Sequence, residues 1–263
     1  MKEQILQFLP AECPWRDTLH WFDEVPSTNT MAKDLAKQGA PQGTVLIAGS
    51  QTGGRGRMGR SFASAGGKGI YMSVILRPMC AAEELMHLTC AVAVSICDAV
   101  EEICSVRPSV KWINDLVLGK KKLGGILTEL SIDRGAVQYA IVGIGLNCTQ
   151  APKDFPEEIR DIALSLQSYT GNAVDIPKLT AAMINSLWEM DKHLLSRDFM
   201  AIYKKDCITL GKEISIVGAN NVFHGKAIDL DAEGGLIVQY PDGIIATVQS
   251  GEVSIRGMYG YTD

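Results

Sequence analysis

The sequence predicts an α+β fold in which a mostly antiparallel or mixed sheet is followed by a small barrel of SH3-like type. Strand-like apolar segments cluster in the longer N-terminal part, and helix-like segments are grouped around them without strict alternation. After Gly211 the pattern changes to short apolar segments separated by turn residues. We therefore divide the chain into a first domain over residues 1–210 and a second domain over residues 211–263.

The composition excludes several classes of protein. With 46% apolar and 21% charged residues, the 263-residue chain resembles an ordinary globular protein and not a disordered or collagen-like one. Its formal charge of −5 does not supply the basic surface that broad nucleic-acid binding needs. The seven cysteines include no C-x-x-C pair and fit reduced thiols better than a disulfide framework.

The chain shows neither a membrane span nor a secretion signal. No apolar stretch approaches the ~20 residues of a transmembrane helix. The first residues, MKEQILQFLPAEC, have too short an apolar run for a signal peptide. We therefore expect a soluble cytoplasmic protein whose partners include neither nucleic acid nor a membrane.

In the first domain, seven apolar segments are predicted as strands. They cover residues 18–25, 44–48, 70–76, 110–112, 116–118, 123–132 and 137–146. Five further segments are predicted as helices, over residues 31–37, 83–104, 159–169, 177–194 and 198–209. Ser27, Thr28 and Asn29 supply cap residues before the first helix, and Pro177 suits a first helical position, which needs no N–H donor.

One face of the helical segment over residues 83–104 carries Cys90, Cys97 and Cys104 among apolar residues. We interpret these cysteines as small core residues. His87 lies one turn from Cys90, a spacing that is open to metal binding, but the core interpretation is favoured.

The second domain contains five short strand candidates. They cover residues 213–217, 222–229, 236–240, 244–249 and 252–256. Turn residues separate them at positions 219–221, 232–235, 241–243 and 250–251. Strands of this length and spacing are typical of a small barrel.

A glycine- and arginine-rich loop over residues 50–69 contains the segment GRGRMGR at 54–60. The segment includes the pattern G-x-G-x-x-G, but a dinucleotide-binding fold needs a helix to start within that pattern, and SFASAGG at 61–67 is a poor helix opening. Glycines allow a ligand to approach the backbone, and arginines offer paired donors to carboxylate or phosphate. A solvated basic loop is the alternative that the loop alone leaves open.

Two further motifs carry polar groups at the ends of apolar strands. KWIND at 111–115 ends in an amide and a carboxylate, which can bind Mg²⁺ or orient an incoming amine. The ammonium group of Lys122 precedes two glycines at 124–125 and could reach a ligand near their backbone, whereas Lys120 and Lys121 fit an exposed turn. GIGLN at 143–147 places glycines within a strand, which marks a close approach or a bulge.

Together these motifs resemble those of the biotin protein ligases, also called biotin–acetyl-CoA-carboxylase ligases, whose signatures are GRGRxGR, KWPND followed by K-x-x-G-I-L, and G-x-G-x-N. STN at 27–29, Gln51 and the segment VQSGEVSIR at 248–256 also match. The resemblance runs from about Trp21 to Arg256. It implies a mixed-sheet catalytic domain similar to class II aminoacyl-tRNA synthetases, an SH3-like C-terminal domain, and a form without the N-terminal helix-turn-helix domain.

The resemblance also implies a biotin site. Hydrogen bonds to the fused rings and ureido group are implied for Ser27, Thr28, Asn29 and Gln51. A loop closing over the biotin carboxylate is implied for Gly54, Arg55, Gly56 and Arg57, with Lys122 in contact with the carboxylate. An apolar slot is implied for Gly125, Gly143 and Gly145.

The same resemblance implies the ATP site and the catalytic groups. Nucleotide contacts are implied for Arg57, Arg60, Phe62, Asn114, Lys122 and Asn147, with Phe62 and Asn147 near adenine. We predict catalytic roles for Lys122, Arg57, Asp115 and Lys111, and Mg²⁺ binding for Asn114 and Asp115. Two departures from the family are Ile113, where the motif has proline, and Phe62, where some members have tryptophan. Neither removes a polar group.

The predicted activity is ATP-dependent activation of biotin to biotinyl-5′-adenylate, followed by transfer of biotin to one lysine of a biotin carboxyl carrier domain. Asp115 is the candidate to orient the acceptor amine or take its proton, and we expect ligand to order residues 54–69. Alternatives are a biotin-responsive repressor, a lipoate ligase and a non-catalytic biotin-binding module. About 20 residues precede the first strand, too few for a DNA-binding domain, so no repressor role is expected. A homodimer is compatible with the resemblance.

Overall fold

A seven-stranded sheet forms the centre of the first domain in the computed structural model, which describes residues 1–217, 222–249 and 251–255. Its strands are β1 Leu19–Val25, β2 Thr44–Gln51, β3 Gly69–Leu76, β4 Ser109–Lys111, β5 Asp115–Leu118, β6 Lys121–Asp133 and β7 Ala136–Asn147. Their spatial order is β1-β2-β3-β7-β6-β5-β4. The pair β1–β2 is parallel and the other neighbouring pairs are antiparallel, so the predicted mixed sheet is confirmed.

Helices cover both faces of this sheet. They are α1 Lys2–Phe8, α2 Thr28–Lys37, α3 Leu88–Cys104, α4 Leu166–Thr170, α5 Ile176–Lys192 and α6 Met200–Asp206. Helix α2 packs on one face, and α3 packs against α5 in the main core on the other. Because both faces are covered, every residue of β3 is buried. Among the described residues, none of the helices combines the length and the apolar character that a bilayer span requires.

Three helix predictions differ from the structure. The short helix α1 was not predicted, and the segment predicted as one helix over 83–104 is divided into a 3₁₀ turn, Glu83–Leu85, and α3. The segment predicted as a helix over 159–169 is helical only from Leu166. Before it, residues 160–162 form turns and Ala163 pairs with Lys122, whose N–H donates to the Ile162 carbonyl oxygen at 2.7 Å.

The cysteines of α3 lie where the sequence predicts. Cys90 and Cys97 have no exposed surface, and Cys104 is half-buried at the end of the helix. Burial raises the pKa of the Cys90 thiol to about 12. A thiol that stays protonated is a poor nucleophile and metal ligand, so the core interpretation is confirmed.

The second domain is a five-stranded antiparallel sheet, as predicted. Its strands are β8 Glu213–Val217, β9 Val222–Leu230, β10 Leu236–Gln239, β11 Ile245–Val248 and β12 Glu252–Ile255, in the spatial order β11-β10-β9-β8-β12. The predicted turn at 219–221, turn residue 250 and strand end at 256 lie outside the described residues. We propose the boundary between the domains near residue 210.

The turn between β9 and β10 joins the second domain to the first. The Trp112 indole N–H donates to the carbonyl oxygen of Gly234 at 2.8 Å, and Arg197 pairs with the Glu233 carboxylate at 2.8 and 3.0 Å. Gly234 has a φ of +84°, and a Cβ atom there would lie 2.6 Å from the Cys90 sulfur. A glycine is therefore required both by the backbone and by the packing.

This junction predicts unequal effects of two glycine substitutions in the second domain. Gly243 has a φ of +86° but open space around it, so Gly243→Ala is expected to lower the free energy of unfolding by about 1–2 kcal/mol through backbone strain alone. Gly234→Ala adds a clash with Cys90 and is expected to cost about 1–3 kcal/mol more. Urea unfolding of both variants measures the difference. Equal losses would contradict the tight packing at the junction.

Candidate functional site

A cleft of about 140 Å³ opens between α2, the glycine-rich loop and the facing ends of β6 and β7. It brings together most of the predicted site residues. Those that line it are Ser27, Thr28, Asn29, Gln51, Arg55, Gly56, Arg57, Arg60, Phe62, Lys111, Asn114, Asp115, Lys122, Gly125, Gly143 and Gly145. Residues distant in sequence thus meet at one surface, because the order of the sheet places β6 beside β7.

The floor of the cleft is built from strand glycines. Gly125 of β6 pairs with Gly145 of β7. A Cβ atom at Gly143 would overlap the Asn29 side chain, and one at Gly145 would lie 2.5 Å from the Phe62 ring. A Cβ at Gly125 would be 3.6 Å from the Lys122 ammonium nitrogen, an ordinary contact. Gly143 and Gly145 therefore allow two side chains to pack directly on the sheet, whereas Gly125 leaves space above it.

The end of the cleft beside α2 is neutral and polar. Ser27 caps the helix, with its hydroxyl oxygen 3.5 Å from the Thr30 N–H nitrogen. The side-chain oxygen of Gln51 accepts from the Thr28 N–H at 2.8 Å and from the Thr28 hydroxyl at 3.1 Å. Its amide nitrogen donates to the Ser64 hydroxyl at 3.0 Å. These bonds hold Gln51 in one orientation.

Ser73, which the sequence interpretation missed, supports this polar end from below. It is fully buried in β3, with its hydroxyl oxygen 2.8 Å from the Thr28 hydroxyl and 2.6 Å from the Asn29 side-chain oxygen. The signal in the sequence is a serine within an apolar strand, because a buried hydroxyl needs a hydrogen-bond partner.

Glu129 of β6 is the second residue that was missed. Its carboxylate accepts two hydrogen bonds from the Arg55 guanidinium, at 3.0 and 3.2 Å, and one from the Asn29 amide at 3.1 Å. The Lys33 ammonium lies 3.5 Å away. Burial alone would raise the pKa of Glu129, but the Asn29 hydrogen bond and the two cations outweigh it and hold the pKa below its usual value.

The opposite end of the cleft is rich in charge. The Lys122 ammonium lies 2.6 Å from an Asp115 carboxylate oxygen, and Arg57 donates to the Asn114 side-chain oxygen at 3.1 Å. The Asn114 amide nitrogen donates in turn to the Ile126 carbonyl oxygen at 3.0 Å. Lys111, almost fully buried, also lines this end. Fixed cations of this kind stabilise negative charge that develops on a substrate.

The backbone of this charged end is tied to neighbouring elements. The Lys122 carbonyl oxygen accepts from the Leu164 N–H at 2.9 Å. The peptide bond between Trp112 and Ile113 is cis, and the Ile113 carbonyl oxygen accepts from the Tyr203 hydroxyl at 3.0 Å. The segment that carries Asn114 and Asp115 is therefore held from both sides.

The predicted magnesium ligands, Asn114 and Asp115, both line this end of the cleft. Across residues 1–217, 222–249 and 251–255, no group of three or more His, Cys, Asp and Glu side chains is arranged to hold a metal. The oxygens of Asn114 and Asp115 face Arg57 and Lys122 respectively. Because Mg²⁺ in nucleotide sites keeps several waters and is bound through one or two carboxylates plus substrate phosphates, magnesium binding by Asn114 and Asp115 stays a prediction.

Two predicted residues lie beside the cleft and not among those that line it. The Asn147 amide donates to the Leu164 carbonyl oxygen at 3.1 Å and accepts from Gln150 at 3.2 Å. The Gly54 carbonyl oxygen accepts from the Phe62 N–H at 2.8 Å, at the base of the loop. Both residues thus support the wall of the cleft in this structure.

The glycine-rich loop folds as a short hairpin over the cleft. Arg55 and Ser61 form an isolated antiparallel bridge, and the Gly56 N–H donates to the Arg60 carbonyl oxygen at 2.7 Å. Phe62 packs edge-on against Tyr71, with ring centroids 6.3 Å apart. The loop leads into β3 and not into a helix, so the prediction that residues 61–67 do not open a helix is confirmed.

Comparisons with known proteins match both domains. The biotin/lipoate A/B protein ligase family matches residues 21–147, and the C-terminal domain of biotin protein ligases matches residues 209–256. The bifunctional ligase/repressor BirA of Bacillus subtilis is 34% identical over 229 residues, covering 86% of this chain and 70% of that protein. The biotin–[acetyl-CoA-carboxylase] ligase of Mycobacterium tuberculosis is 30% identical, covering 94% of this chain and 92% of that protein.

The similarity extends to the folded structure. The biotin protein ligase of Aquifex aeolicus in complex with biotin and ATP has a TM-score of 0.77 and 33% identity, covering 91% of this chain and 98% of that one. The apo structure of the same ligase has a TM-score of 0.70 and 30% identity. The predicted catalytic fold and SH3-like C-terminal domain are thereby confirmed. By sequence and by fold, the chain belongs to the biotin protein ligases of the biotin/lipoate A/B protein ligase family.

Proposed function

We propose that this chain activates biotin with ATP to form biotinyl-5′-adenylate and then transfers biotin to a lysine of a carboxylase carrier domain. The observation that carries the proposal is the division of one cleft into a neutral polar end, at Thr28 and Gln51, and a cationic end, at Arg57 and Lys122. A substrate with a neutral ring system and a carboxylate at the far end of an aliphatic chain matches that division.

The neutral end suits the ureido group of biotin. That group offers one carbonyl acceptor and two N–H donors, and it is recognised by hydroxyl and amide side chains at low cost because none of them carries a charge. Ser27, Thr28, Asn29 and Gln51 supply such groups, and all four line the cleft. Gly125 leaves space above the sheet for the rings.

The cationic end suits the first chemical step. A biotin carboxylate oxygen attacks the α-phosphorus of ATP, a phosphorus–oxygen bond forms, and the bond to pyrophosphate breaks. The step brings two anions together, so catalysis depends on positioning and on cations near the α-phosphate. We assign this role to Lys122 and Arg57, with Lys111 and Arg60 as further cations of the cleft. We also propose that Phe62 and Asn147 bind adenine.

Asp115 has a place in both steps. Before substrate binds, its carboxylate holds the Lys122 ammonium at 2.6 Å, which orients that cation toward the cleft. In the second step the acceptor amine attacks the carbonyl carbon of the adenylate, the bond to AMP breaks, and the nitrogen loses a proton. We propose that Asp115 orients the amine and takes that proton. Magnesium would enter with ATP, and Asn114 and Asp115 are its proposed protein ligands.

The proposal is tested by incubating the protein with biotin, MgATP and a purified carrier domain, followed by mass spectrometry of the carrier. One added biotinyl group, absent when the acceptor lysine is replaced, is expected. Lipoate offered in place of biotin tests the alternative substrate. If the carrier is unmodified and biotin does not drive ATP–pyrophosphate exchange, the proposed function is wrong.

Replacing Lys122 removes a cation from the reacting end of the cleft. Lys122→Ala is expected to lower biotin-dependent ATP–pyrophosphate exchange by about 100-fold or more, the size typical of a lost transition-state contact. Lys121→Ala is the matched control, because Lys121 is exposed on the neighbouring position of β6. Equal exchange rates for the two variants would remove Lys122 from the mechanism.

Asp115→Asn tests the acceptor step separately. The amide keeps the shape of the side chain but cannot take a proton, so single-turnover transfer from preformed adenylate is expected to fall by about 100-fold. Exchange is expected to fall less, because the amide oxygen can still accept from Lys122. Asp133→Asn, at the exposed end of β6, serves as the control. A larger loss in exchange than in transfer would restrict Asp115 to positioning Lys122.

A further inference from the structure

The Glu129 carboxylate joins three parts of the chain behind Asn29, which lines the polar end of the cleft. It lies on β6, where it pairs across the sheet with Ile141. One of its oxygens is 3.0 Å from Arg55 and 3.1 Å from Asn29, and the other is 3.2 Å from Arg55 and 3.5 Å from Lys33. The glycine-rich loop and helix α2 are thus connected through one side chain of the sheet.

The environment makes this connection stronger than an ordinary surface ion pair. The Glu129 side chain is 18% exposed, so solvent screens its charge less than that of a free surface carboxylate. Arg55 contacts both oxygens, an arrangement that fixes direction as well as distance. A third donor, from Asn29, restricts the carboxylate further.

Asn29 transmits the orientation to the cleft. Its amide nitrogen faces Glu129 and the Leu127 carbonyl oxygen, so its oxygen faces the Ser73 hydroxyl at 2.6 Å. Gly143 leaves the space in which this side chain lies. Without the Glu129 carboxylate, the Asn29 amide nitrogen would lose one of its two acceptors. The two flipped orientations of the Asn29 amide would then differ less in energy.

We propose that Glu129 is a positioning residue for biotin, which holds the loop closed through Arg55 and sets the orientation of the Asn29 amide. That the substrate is biotin rests on the proposed function, whereas the role of Glu129 in holding Arg55 and Asn29 rests only on the contacts described above. The recorded contacts of the Glu129 carboxylate are with Arg55, Asn29 and Lys33, whereas the Lys122 ammonium contacts Asp115. The effect of Glu129 therefore falls first on biotin binding and on closure of the loop, and it reaches the chemical step only through Arg57 of the same loop.

The test uses Glu129→Gln and Arg55→Met, singly and together, in the full chain. Each single variant is expected to raise the KM for biotin in ATP–pyrophosphate exchange by about tenfold or more, the loss expected for a hydrogen bond to a charged group. The kcat at saturating biotin is expected to fall by a smaller factor than that by which the KM rises. The double variant is expected to be no worse than the worse single variant, because both remove the same contact.

Two further variants test whether the KM for biotin follows the charge and reach of the side chains around Glu129. Lys33→Met removes the more distant cation and is expected to raise the KM less than Arg55→Met does. Glu129→Asp keeps the charge on a shorter side chain and is expected to recover part of the affinity that Glu129→Gln loses. Thermal unfolding of each variant separates these effects from a loss of folding.

Limited trypsin digestion gives a readout that needs no catalysis. Cleavage after Arg55, Arg57 and Arg60 is expected to be faster in Glu129→Gln than in the wild-type protein, because the loop is no longer held. If the wild-type protein shows no biotin-dependent exchange, the proposed function is wrong. The digestion rates alone then test whether Glu129 holds the loop closed. An unchanged KM in Glu129→Gln, additive effects in the double variant, or equal digestion rates would overturn the inference.

Discussion

The close approach of side chains to the sheet at the paired ends of β6 and β7 is the constraint on which the site depends. Register places Gly125 opposite Gly145 and Leu127 opposite Gly143. With a Cβ atom at Gly143 or Gly145, Asn29 and Phe62 could not occupy their places. These glycines therefore do not form turns. They allow a side chain of helix α2 and a side chain of the loop to pack directly on the buried sheet.

Charge in the cleft is arranged in pairs that fix cations before a substrate arrives. Asp115 holds Lys122 at the reacting end, and Glu129 holds Arg55 at the other. Cations held in this way need little reorganisation when an anion enters, which is the basis of electrostatic catalysis. Asn114 orients Arg57 in a similar way through a hydrogen bond to its side-chain oxygen.

The second domain is attached directly behind this reacting end. Trp112, which precedes the segment with Asn114 and Asp115, donates to the Gly234 carbonyl oxygen in the β9–β10 turn. On the other side of the domain, Gly251 and Val253 are among the residues that line the cleft. The position of the catalytic segment therefore depends on packing between the domains as well as within the first one.

The sequence by itself determined the strands, because these depend on local patterns, whereas most of the residues of the cleft were implied by the resemblance of its motifs to those of the biotin protein ligases. Alternating apolar residues, cap residues at Ser27 and glycine-rich motifs are local features that a reader can recognise. The tertiary structure decided which of them meet. Glu129 is 74 positions from Arg55 and 100 from Asn29, so their contacts depend on strand order and register, which no local spacing encodes. For the same reason the backbone that pairs with Lys122 is not helical in the structure, although its sequence favours a helix when taken alone.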